Sequence, residues 1–138
     1  MITLEECLKI SGELGDDRDC AVRAVAIATQ LPYMDVWKTF TKQGRRFRRG
    51  ARFDDITKPV LRKLGFNPLQ IDPPGDAKTV RTLARELADA EGAYLVRVSR
   101  HLLCIRDGEV QDWTRDRLHR VNQVYKVIDK RPIGWDLL

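Results

Sequence analysis

The chain has only three cysteines in 138 residues (Cys7, Cys20 and Cys104), too few for a disulfide scaffold and an odd number that cannot all pair. It has no apolar run approaching the ~20 residues that span a bilayer. Its start, Met1-Ile2-Thr3-Leu4-Glu5-Glu6, is acidic and lacks the basic, apolar and small-residue regions of a signal peptide. It shows no internal repeat, no low-complexity tract and no linker, so residues 1–138 are expected to form a single domain. It also lacks any zinc-finger or RNP module for reading bases. These absences point to a cytoplasmic protein whose thiols serve as small buried hydrophobes or as nucleophiles.

What is there favours a globular core, since 43% of the residues are apolar. The net charge of +5 comes from 17 arginines against 8 lysines. A basic balance favours anionic contacts such as nucleic acid, phosphates or acidic protein surfaces, without specifying a function.

Thr3 and Glu6 have the form of a capping box, predicting a helix from about Leu4 to Ser11 that Gly12 and Gly15 break. After the acidic loop Asp16-Asp17-Arg18-Asp19, residues Cys20 to Gln30 are apolar almost all round, as in a buried central helix. Arg23 is the one charge inside it and needs a partner. Tyr33 to Lys42 reads as an amphipathic helix, and Gly44 to Arg52 as an exposed basic loop. A short helix begins near Pro59, one short strand is expected near Leu69 to Ile71, and another helix spans Thr79 to Ala90. Four strands then follow: Ala93 to Val98, His101 to Arg106, Glu109 to Trp113 and Val121 to Ile128. Helices followed by an antiparallel meander indicate an α+β fold.

Asp107-Gly108 between two strand-like runs signals a two-residue type I′ turn. The register that follows pairs Arg106 with Glu109, Ile105 with Val110 and Leu103 with Asp112, and sets His101 across from Thr114. His101 and Asp112 then share a face as diagonal neighbours, whereas a slip of one residue would separate them. Asp19 is placed as the N-cap of the central helix, which makes Cys20 its first residue. There the helix dipole favours thiolate, and backbone N–H groups, those of Cys20 and Ala21 among them, can hold an oxyanion. The neighbouring carboxylates oppose thiolate unless they are solvated, capping, or paired with Arg18 or Arg23.

Asp19-Cys20-Ala21-Val22-Arg23-Ala24-Val25-Ala26, Gly92 to Val98, His101, Asp107-Gly108 and Asp112-Trp113 together resemble the papain-like cysteine-peptidase superfamily. The nearest flavours are its small C39-like and NlpC/P60-like members, among them small phage and prophage proteins. The resemblance covers roughly residues 1 to 115 and keeps the order Cys, His, Asp. It implies a papain-like α+β fold, a catalytic triad of Cys20, His101 and Asp112, no cofactor, and a peptide or protein substrate in the cytoplasm, that of the host if the protein is phage-encoded. Two positions depart from the family pattern. Leu14 and Gly15 stand where a Gln oxyanion donor is usual, and Arg100 precedes His101 where Gly is frequent.

Simpler roles stand beside these. A small buried residue at a helix start would explain Cys20, but not the His and Asp found with it. Cys104 alternates away from His101 and reads as core, so His101-x-x-Cys104 is not expected to bind zinc. Cys7 and His119 read as structural or exposed. Arg45, Arg46, Arg48, Arg49 and Arg52, with Phe47 and Phe53 interleaved, read either as solvated surface or as a partner-binding loop apart from the reacting face. Three functions follow: a cysteine-dependent hydrolase or acyl transferase; an inactive papain-like scaffold that binds a host protein with an acidic surface; and a nucleic-acid binder working through the arginine loop.

Overall fold

The computed structural model describes residues 1–113 and 119–132. Five α-helices and five strands make an α+β fold: α1 (Leu4–Leu14), α2 (Cys20–Thr29), α3 (Tyr33–Lys42), α4 (Lys58–Lys63), β1 (Phe66–Ile71), α5 (Val80–Glu86), β2 (Ala93–Val98), β3 (His101–Arg106), β4 (Glu109–Gln111) and β5 (Gln123–Asp129). A π-helical turn over Phe53–Thr57 leads into α4.

Local chemistry accounts for most of the helix boundaries. The Thr3 hydroxyl accepts from the Glu6 N–H at 3.1 Å and caps α1. Gly12 does not break that helix, contrary to expectation. It ends at Gly15, whose φ of 71° makes the left-handed stop that glycine adopts freely. In α2 every residue from Ala21 to Thr29 is buried, as its all-round apolar composition requires. Thr79 caps α5, which ends at Glu86 rather than Ala90; Asp89 and Glu91 beyond it would sit unfavourably at the negative end of a longer helix.

The sheet is antiparallel throughout, with strand order β1-β5-β2-β3-β4. The expected four-strand meander is therefore corrected. Only β2, β3 and β4 follow one another; β5 returns to the other edge of β2 and joins it to β1. A plain meander would leave the apolar strand β2 as an unpaired edge, and β5 covers it.

Alternation along the strands divides the core into two layers. Ala93, Leu95, Leu102, Cys104 and Tyr125 pack with α2, while Tyr94, Val96, Val98, Leu103, Ile105 and Val124 pack with Val80, Leu83 and Leu87 around α5. Each fully buried aliphatic side chain contributes about 1.5–3 kcal/mol, and the layer shared with α2 is what holds that helix on the sheet. No helix among the described residues is long and apolar enough to cross a membrane.

Candidate active site

Cys20 opens α2 and is half-buried, whereas Cys7 and Cys104 are fully enclosed. Burial pushes both of those thiols up to about 12, which leaves them protonated and inert. Burial also opposes ionisation of Cys20. There, hydrogen bonds from His101 and from the Leu102 N–H, with the charges of His101 and Arg23, outweigh it and hold the thiol below its ordinary value.

His101 opens β3. The β3–β4 hairpin has the expected register, Arg106 opposite Glu109 and Ile105 opposite Val110, with positive φ at Asp107 and Gly108 as the turn demands. β4 stops at Gln111, and the next residue, Asp112, is buried with its Oδ2 2.8 Å from Nε2 of His101. Thr114 lies outside the described residues. With Nε2 engaged by Asp112, Nδ1 is the ring nitrogen left for Cys20. Burial disfavours the imidazolium, yet the hydrogen bonds to Asp112 and Cys20 and their negative charge raise His101 to about 9. The same contact lowers the thiol and raises the imidazole, so each group favours the charged form of the other. Trp113 packs edge-on to the His101 ring, with centroids 6.3 Å apart.

Asp19 occupies the N-cap position without capping, which corrects the expectation for it. The carboxylate is completely buried; one oxygen accepts from Arg23 and the other from the Tyr33 hydroxyl at 2.6 Å. A buried guanidinium one turn along α2 needs its counter-ion more than the helix needs a cap. The N–H groups of Cys20 and Ala21 are therefore left uncapped beside the thiol, as donors for a developing negative charge.

The arginine loop is also corrected. Arg45 is buried, not exposed, and its two terminal nitrogens each reach an Asp16 oxygen at 2.8 Å. Asp16 additionally accepts from Trp37 Nε1 at 3.0 Å, and Arg45 donates to the carbonyls of Arg49 and Arg18. This latch joins the loop to the segment that delivers Cys20, so the negative charge of Asp16 is met by Arg45 rather than by Arg18. Arg46, Arg48 and Arg49 remain exposed, with Arg48 only 3.6 Å from the exposed Asp17.

The loop does not stand apart from the reacting face. A cleft of about 350 Å³ opens at Cys20 and His101, and its walls include Ala51, Arg52, Arg97 and Arg100. Sequence reasoning missed Arg97 and Arg100. The two-residue turn Ser99-Arg100 between β2 and β3 was the available signal for Arg100; Arg97 carried none. No protein-family model matches this chain, and no curated protein or solved structure matches it either.

Proposed function

We propose that the protein is a cysteine-dependent hydrolase or acyl transferase of the papain-like kind, acting on an amide, isopeptide or thioester bond. The observation that carries the reading is His101 held between a thiol and a buried carboxylate, 2.8 Å from the latter. Cys20 acts as nucleophile, His101 as acid and base, and Asp112 fixes the ring. An apolar helix opened by the Cys, packed on an antiparallel sheet carrying the His and then the Asp, supports the papain-like assignment of the α+β fold.

The Cys20 thiolate attacks the carbonyl carbon, forming an S–C bond and an oxyanion that the Cys20 and Ala21 N–H groups receive. Collapse breaks the C–N bond, or the C–S bond of a thioester, and the imidazolium gives its proton to the leaving group. Water, or an acceptor amine, then attacks the acyl-enzyme while His101 takes the proton. The S–C bond to Cys20 then breaks, its electron pair returns to sulfur, the acyl group leaves as acid or amide, and the ion pair is restored. The uncapped N–H pair takes the part of the absent Gln donor.

The test is labelling by an electrophilic peptide-type probe, mapped by mass spectrometry. The expected adduct is on Cys20, lost in His101→Ala. Equal labelling of all three cysteines, or none of Cys20, would reduce the constellation to an inactive scaffold.

A further inference from the structure

We propose that the cleft at Cys20 selects substrates bearing a negatively charged group, carboxylate or phosphate, beside the bond attacked. This rests on the reading of Cys20 as nucleophile and names the class of substrate it takes. Among the described residues the cleft is lined by three arginines, Arg52, Arg97 and Arg100, and by no carboxylate. Of the nearby acids, Asp112 is engaged with His101 and Asp54 with Lys58 at 2.9 Å, while Asp55 reaches a cleft arginine, Arg52, only at long range.

The three guanidiniums are held differently. Arg97 is pre-positioned, donating from Nη1 to the Gln123 side chain at 2.6 Å and lying 5.0 Å from the centre of the Phe53 ring. Arg52 has only a long, exposed contact to Asp55 at 3.5 Å. Arg100 makes no ion pair among the described residues, yet it occupies a left-handed turn position with φ of 58°, immediately before His101. Glycine would take that conformation without strain, so the fold tolerates a strained backbone where an arginine meets the cleft. A guanidinium fork matches the two oxygens of a carboxylate or phosphate, which makes these side chains a recognition surface for an oxyanion.

Iodoacetate and iodoacetamide differ mainly in charge and provide the test. A free thiolate repels the anionic reagent, so their rate ratio lies below one in solution. At Cys20 the ratio is expected to reverse to about 10 in favour of iodoacetate, and to fall about threefold with each of Arg52→Gln and Arg100→Gln and with added salt. Each rate is read against iodoacetamide on the same variant, which cancels any change in the thiol itself. A ratio below one, or one that neither substitution moves, overturns the inference, the latter by assigning the preference to the His101 imidazolium. Fast iodoacetamide labelling without anion preference sinks only this inference; slow labelling by both reagents sinks the nucleophile reading and this inference with it. Protection of Cys20 by glutarate or by inorganic phosphate tells the two oxyanions apart. Protection by neither counts against the cleft.

Discussion

Replacing Arg45 by Met should destabilise the protein far more than any change to an ordinary surface arginine. The substitution leaves the Asp16 carboxylate, only 1% exposed, with Trp37 Nε1 as its remaining side-chain donor. Removing one partner of a buried ion pair costs about 3–5 kcal/mol, and the lost bonds to the Arg49 and Arg18 carbonyls lie within that figure. For a chain of this length the melting temperature should fall by about 10–15 °C. Urea denaturation followed by tryptophan fluorescence measures the difference directly. The double variant Asp16→Leu/Arg45→Met should be less destabilised than Arg45→Met alone, because neither charge is then stranded. The pH dependence has a definite sign. Burial disfavours the Asp16 carboxylate, but Arg45 and Trp37 hold its folded value below the ordinary 3.8. Its contribution is therefore complete above 3.8 and is lost as pH falls through the lower folded value, a loss the double variant should not show. A cost below about 1 kcal/mol for Arg45→Met, as for exposed pairs, would refute the latch.

His101→Ala should slow alkylation of Cys20 at pH 7 by up to about 100-fold, because a thiol without its imidazolium returns toward the ordinary 9.0, where about 1% is thiolate; an unchanged rate would remove His101 from the site. Asp112→Asn should give a smaller loss by releasing the ring and lowering the His101 value, and a loss as large as that of His101→Ala would mean that Asp112 does more than orient. Turnover needs the imidazolium proton, so it should decline as pH rises through about 9 while iodoacetamide labelling holds; parallel profiles would argue against His101 as the acid. Arg100→Gly should raise the unfolding free energy by up to about 1 kcal/mol through relief of the left-handed strain, seen as a higher urea midpoint, and a lowered midpoint would show that the side chain is bound to the fold.

Much of the local architecture was legible in the sequence. The ends of β2 and β3, the all-round burial of α2, and the shared face of His101 and Asp112 follow from periodicity and from one turn dipeptide, Asp107-Gly108. These are properties of residues close along the chain, set by sterics and by which face meets water. What only the tertiary structure decided was partnership across distance. Asp19 gave up its cap for Arg23 and Tyr33, and Asp16 found Arg45 rather than Arg18. β5 covered β2 and bound it to β1, and the end of the arginine loop joined Arg97 and Arg100 around the thiol. A string of residues shows which charges and strand edges need partners. Which partner each obtains depends on how the helices pack on the sheet, because burial makes an unpaired charge too costly to leave and the packed fold determines which counter-charge is within reach.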